Sequence, residues 1–296
     1  MTAFVRKAAE DAVLREDWHE NEDGSRLLLL KYPLLERTGI VEHCFTTRLG
    51  GVRADIFSTM NLSFTRGDEE AAVRENYRRL ARALGAEVGQ FVCSDQTHTV
   101  NVRRVTAADA GKGLTRERDY RDVDGLITDE PGLVLSTFYA DCVPLYVVDP
   151  VHRAIGMSHS GWRGTAARMG AVTLSAMQEA YGTRPEDVVC AVGPSICKDC
   201  YEVSADVADI FAEEFPGHEQ EILAESEKNS VGMAHADKKY QLDLWKANEI
   251  IFQEAGVRKE HLAVTDICTC CNPKLLFSHR ASHGKRGNLG GFLYLK

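Results

Sequence analysis

The stretch AIGMSHSGWRGTAARMGAVTLSAMQEAYG, residues 154–182, decides the fold class. Its first residues, Ala154–Met157, form an apolar segment with the length and composition of a buried strand. Two glycines, Gly161 and Gly164, then turn the chain into a helical pattern. That helix is expected over 165–181, with Gly182 and Pro185 as its stop. A strand feeding a helix through a glycine turn must pack that helix on its own sheet, which is an α/β arrangement. The turn also collects three chemical tools. His159 can bind a metal or move a proton, amides at a helix start attract anions, and Arg163 offers a permanent charge whose planar fork fits phosphate or carboxylate.

Working upstream, Gly132 to Val148 is apolar nearly throughout, as expected of strands buried on both faces. Short strands at 91–94 and 100–105 flank His98, and the charged, glycine-containing 111–122 reads as a loop. A helix is expected from an N-cap at Asp68 to Gly85, with Val73, Tyr77, Leu80 and Leu84 on one face. Residues 27–34 (LLLLKYPL) read as a strand of an opening hairpin, followed by the strand in VEHCFTTRLGGV. Downstream, VVCAVGPSI leads into the helical SADVADIFAEEF; Asp243 caps a helix ending at Gly256, and 262–267 begins the last strands. Strands and helices interleave without strict βαβ regularity, so the expected class is mixed α/β in one domain over 1–296, with residues 1–26 as an N-terminal extension.

The bulk numbers restrict the function. The formal net charge of −9 disfavours a general nucleic-acid binder, which needs a basic face, but leaves room for a small anionic or nucleoside ligand in one basic pocket. No apolar run is long enough for a membrane span, and MTAFVRKAAEDAVLREDW lacks the apolar region of a secretory signal. The expectation is a cytoplasmic protein with reduced thiols, and its nine cysteines cannot all pair within the chain. Its acidic, repeat-free surface points to no protein partner.

Two segments offer partners for His159: Asp95-Gln-Thr-His98 and Tyr139-Ala-Asp-Cys142. Two imidazoles and a thiolate suit zinc, and three protein donors leave a position open for water or substrate, as in catalytic sites. Cys142 could equally be a nucleophile with a histidine as base. Spacing leaves both open, because no short metal motif links the three residues.

The blocks TTRLGGV (46–52), DQTHTVNV (95–102), DVDGLITDEPGLVLSTFYADCVPLYVVDP (122–150), IGMSHSGWRGTAARM (155–169) and AVGPSICKDCYEV (191–203) resemble, in order, those of the YfiH/laccase-domain family. The likeness continues through CTCCNPKLLFSHR (268–280) and GGFLYL (290–295). It implies a single-domain, layered α/β sandwich of mixed sheets, with zinc held by His98, Cys142 and His159. It also implies purine nucleoside phosphorylase activity on adenosine, inosine, guanosine and methylthioadenosine, with phosphate as co-substrate and adenosine deaminase activity at the same site. Copper-dependent phenol oxidation is disfavoured: ten histidines without one HxH pair do not build the several clusters of a multicopper oxidase. On this reading Arg163, with help from Arg48, holds phosphate, Asp141 orients a ligand histidine or binds a ribose hydroxyl, and Asn61 and Gln96 bond sugar or base. Each has a blander alternative: an internal ion pair for Arg163, and service to turn backbones for Arg48, Asn61 and Gln96. His235 and His279 are expected to face solvent.

Cys197-x2-Cys200 and Cys268-x-Cys270-Cys271 have the look of two halves of a structural zinc site. Against that, Cys197 stands where the family usually has glycine, and Asp199 where another cysteine is common; buried structural thiols are therefore the preferred reading. Asn288, in GKRGN, stands at a usual arginine position, with Arg286 as a possible substitute. Two other functions compete: a hydrolase using Cys142, of the kind that edits peptidoglycan precursors, and a redox- or metal-responsive binding protein built on the cysteine-rich end.

Overall fold

The computed structural model describes residues 3–7, 12–230 and 232–296. Two six-stranded sheets dominate it. The first runs, edge to edge, Arg15–Glu20, Arg26–Lys31, Val41–Thr46, Leu289–Leu295, Val134–Tyr139 and Phe91–Cys93. The second runs Leu262–Val264, Val189–Val192, Val143–Asp149, Ala154–Ser160, Gly125–Thr128 and Val102–Arg104. Both mix parallel and antiparallel pairs. A small sheet of Glu202–Ser204, Lys239–Leu242 and Leu223–Glu225 stands apart. Its strands are short and half-exposed, so no apolar run in the sequence marks them.

Strand alternation explains why the sheets stack. Along Arg26–Lys31, Leu28 and Leu30 enter one core while Leu27 and Leu29 enter another. Along Val143–Asp149, Tyr146 and Val148 share the first of these cores, and Val143, Leu145 and Val147 point away from it. The shared core is therefore the filling between the sheets. Outside the first sheet lies helix Glu70–Leu84, through Val73, Tyr77, Leu80 and Leu84. Outside the second lie Met169–Tyr181, Ala205–Glu214 and Leu244–Glu254. The result is a helix–sheet–sheet–helix sandwich, the layered mixed α/β fold that the sequence led us to expect.

Several boundaries differ from expectation. The helix after His159 is two helices, Trp162–Ala166 and Met169–Tyr181, broken at Arg168, whose φ of 59° is left-handed. Helix Glu70–Leu84 takes Glu69 as N-cap; Asp68 instead accepts from Asn61 and pairs with Arg53. Asp243 does cap its helix, accepting from the Lys246 amide at 3.0 Å. Of the extension expected over 1–26, residues 1–2 and 8–11 lie outside the described residues, and Arg15–Glu20 is an edge strand hydrogen-bonded to Arg26–Lys31. No helix among the described residues is long and apolar enough to cross a membrane.

Candidate metal centre and its cavity

The chain passes from one sheet to the other at two places that matter. Between Phe91–Cys93 of the first sheet and Val102–Arg104 of the second lies His98; between Val134–Tyr139 and Val143–Asp149 lies Cys142. Both crossings use left-handed backbone, with φ of 67° at His98 and 86° at Asp141. Such angles are uncommon outside glycine and persist when neighbours hold them. His159, near the end of Ala154–Ser160, completes the group. One donor atom from each of His98, Cys142 and His159 lies within 4.8 Å of the others. Cys142 Sγ is 3.9 Å from His98 Nε2, and the two imidazoles meet edge to face with centroids 4.9 Å apart.

Asp124 holds this arrangement. One carboxylate oxygen accepts from His159 Nδ1 at 2.8 Å and the His98 amide at 3.2 Å. The other accepts from the Thr97 amide at 3.0 Å, and from the Thr99 amide and hydroxyl at 2.9 and 3.0 Å. One buried acid thus fixes the His98 turn and the His159 ring, and leaves Nε2 of His159 free for a metal, the usual outer-shell arrangement. We had expected Asp141 in that position. Asp141 instead accepts from the Thr269 hydroxyl at 2.6 Å and the Arg280 amide at 2.7 Å, tying the crossing to the C-terminal loop. The sequence did carry a signal for Asp124: an acid set between Val123 and Gly125, just before the apolar strand Gly125–Thr128, must find partners there.

Charge follows geometry. Burial opposes ionisation of the Cys142 thiol, but the His159 and His98 rings outweigh it and pull its pKa down to about 6. Burial likewise opposes the charged His159, yet Cys142 and Asp124 hold its pKa up at about 9. Asp124 is held at about 2: burial works against its charge, and His159 with the Thr97 and Thr99 amides overcomes it. Without a metal the site is therefore a thiolate beside an imidazolium.

A cavity of about 370 Å³ opens on the three donors. Its wall includes Gln96, Tyr139, Arg66, Arg118, Arg286 and Asn288. Arg286 is buried; Nη1 donates to the Gly287 carbonyl at 3.2 Å and to the Asn288 side chain, while Nε has no partner among the described residues. Burial and the neighbouring Arg66 lower its pKa to about 10. Asn288, which the resemblance puts at an arginine position, here accepts from Arg286, whose cation lies on the same wall.

The other expected contacts fall differently. Gln96 lines the cavity, but its amide is spent on the Phe138 backbone, at 2.7 Å in each direction. Asn61 is fully buried and bonds Ser63, Asp68 and the Asn288 amide, so it shapes the wall without reaching the cavity. Arg48 donates to the carbonyls of Ser58 and Pro273 and stacks on Phe277. Arg163 is exposed, stacks on Trp162 at 4.3 Å and has no carboxylate partner among the described residues. The helix it begins has only five residues, too short for the strong dipole assumed for a helix running to Tyr181. His279 is exposed, and His235, also exposed, pairs with Asp209.

Residues 42–296 match the family described as multi-copper polyphenol oxidoreductase laccase. Among curated relatives, purine nucleoside phosphorylase YlmD of Bacillus subtilis is 34% identical over 256 residues, 85% of this chain and 87% of its own length. A purine nucleoside phosphorylase of Deinococcus radiodurans is 37% identical over 258 residues, 87% of this chain and 90% of its own. The crystal structure of YlmD from Geobacillus stearothermophilus superposes with a TM-score of 0.83 at 31% identity, covering 97% of this chain and all 100% of that one.

Proposed function

We propose, from the premise that this chain belongs to the multi-copper polyphenol oxidoreductase laccase family, that it is a zinc-dependent purine nucleoside phosphorylase. The observation that carries the reading is the meeting of His98, Cys142 and His159 on the wall of a cavity that the buried cation of Arg286 also lines. The relatives named purine nucleoside phosphorylase support the reaction class. The substrates would be purine nucleosides (adenosine, inosine, guanosine and methylthioadenosine) and phosphate, in the cytoplasm.

The donor set fits zinc. Two imidazoles and a thiolate are its preferred ligands, Asp124 fixes which nitrogen His159 presents, and the open side faces the cavity. Bound there, the ion would supply Lewis-acid polarisation of an oxygen. Phosphorolysis breaks the C1′–N9 bond as a phosphate oxygen bonds C1′, and the base leaves with the electron pair. Arg286 would hold the phosphate dianion through Nη2, which no hydrogen bond among the described residues occupies, and Arg163 would approach it from outside the cavity wall. The cavity wall of Tyr139 and Phe138 would seat the purine. Deamination of adenosine would use the same three donors without phosphate.

The test is incubation of the zinc-loaded protein with inosine and adenosine, with and without phosphate, products being resolved by chromatography. Phosphate-dependent release of hypoxanthine and adenine, lost in Cys142→Ala, is expected; Arg286→Ala should raise the phosphate KM at least about tenfold, near 1.4 kcal/mol, and Arg163→Ala by less. Base release that ignores phosphate would end the proposal. Inosine from adenosine without phosphate would establish the deaminase activity. The lowered Cys142 thiol beside His159 favours one second reading, a cysteine hydrolase. It predicts rapid alkylation of Cys142 by iodoacetamide in the as-purified protein, which a zinc-bound thiolate would resist.

A further inference from the structure

Away from the cavity, Cys197, Cys200, Cys268 and Cys271 bring four sulfurs within 4.8 Å of one another. Cys200 Sγ lies 3.5 Å from Cys271 Sγ, and Cys197 Sγ lies 4.0 Å from it. Tetrahedral zinc with sulfurs at about 2.3 Å spaces those sulfurs about 3.8 Å apart, and these two separations lie on either side of that value. Two backbone amides also point at one sulfur: Cys197 N at 3.3 Å and Cys271 N at 3.4 Å both donate to Cys268 Sγ. A thiol is a weak acceptor, whereas a thiolate held by a cation accepts such bonds readily. The two C-x2-C pairs come from loops already joined by a bridge between Ser195 and Cys268. Cys270, between the second pair, stays outside the group.

We infer that these four cysteines form a second, structural metal centre that binds a zinc-class divalent cation as a closed tetrathiolate. The geometry reverses the preference for metal-free thiols drawn from the sequence: Cys197, at a usual glycine position, supplies the donor that Asp199 does not. Asp199 instead accepts from Lys7 at 2.8 Å, which brings a cation to the loop that would carry the centre's negative charge. The centre fixes the loops on which the catalytic crossing rests. The Ile196 amide donates to the Asp141 carbonyl at 3.0 Å, Thr269 bonds the Asp141 carboxylate, and Arg280 joins that carboxylate to the Cys200 carbonyl. This inference is independent of the reaction proposed above.

The test uses the full chain carrying Cys142→Ala, which removes a donor from the cavity site and leaves the four thiols intact. Purified under reducing conditions and desalted, it should retain about one zinc per chain, against about two in the wild type. Zinc-edge X-ray absorption of that variant should show an all-sulfur shell, and cobalt exchange should give strong sulfur-to-metal charge-transfer bands. Cys200→Ser with Cys271→Ser should remove that equivalent; if this variant does not fold, the absorption spectrum of Cys142→Ala decides. A folded Cys142→Ala chain without metal, a shell containing nitrogen, or disulfides among the four cysteines in non-reducing mass spectra would overturn the assignment.

Discussion

Asp124 carries more of the site than its place between Val123 and Gly125 suggests. It accepts from three backbone amides, one hydroxyl and the His159 ring, and no other acid among the described residues hydrogen-bonds the three donors. Asp124→Asn keeps the shape but offers only one acceptor oxygen, and turns an N–H₂ toward donors that need an acceptor. We expect zinc affinity at the cavity site to fall about 10- to 100-fold, read by chelator competition, with the fold retained in circular dichroism. The same residues set a pH dependence whose sign can be worked out. Between about pH 6 and pH 9 Cys142 is already a thiolate, while His159 still carries the proton that a metal must displace. Affinity should therefore rise about tenfold per pH unit across that window, more steeply below it as Cys142 also protonates, and level off above it. Calorimetry in buffers of different ionisation enthalpy would count the proton; an affinity flat between pH 6 and pH 9 would contradict the thiolate–imidazolium pair.

At the scale of elements, the strand-turn-helix over 154–182 was legible because each part has its own signal, apolar run, glycine turn and helical period. The break at Arg168 was not. Arginine is a good helix former, and nothing local marks its left-handed backbone; its side chain reaches the Glu214 carbonyl, Glu254 and the Phe215 ring, partners distant in sequence. Gly161 shows what the turn demands. Its φ of −76° is open to any residue, yet a Cβ there would lie 3.0 Å from His98 Cδ2 and 3.1 Å from Cys142 Sγ. The glycine leaves room for two donors to approach. Gly161→Ala should therefore weaken zinc binding and turnover together while shifting the melting temperature of the metal-free protein little, by calorimetric scanning. A large loss of stability with metal affinity intact would show that the glycine serves the backbone instead. The three donors themselves were legible as residues at strand ends, whereas the substrate contacts were not: Arg48, expected on phosphate, and Asn61, expected on sugar or base, are held by partners that only the tertiary structure supplies.

Across the whole molecule, the class and layering followed from strands apolar on both faces, which need cover above and below. Strand order did not, since beyond the consecutive neighbours within 15–46 and 143–160 the pairings join strands distant in sequence, such as Val41–Thr46 with Leu289–Leu295. The core between the sheets predicts a measurable cost: Leu293, fully buried there, should lose about 3 kcal/mol as Leu293→Ala, seen as a lowered denaturation midpoint. An unchanged midpoint would mean the layers do not depend on that filling. Leu293 belongs to Leu289–Leu295, the strand that lies between Val41–Thr46 and Val134–Tyr139. That placement bears on the ribosome. Until synthesis has passed Leu295, the first sheet is two separate ribbons whose facing edges have no partner, and each exposed edge invites pairing with another nascent chain. A messenger broken or a ribosome stalled before that point would release a polypeptide whose second sheet has all its strands while the first stays open along its middle.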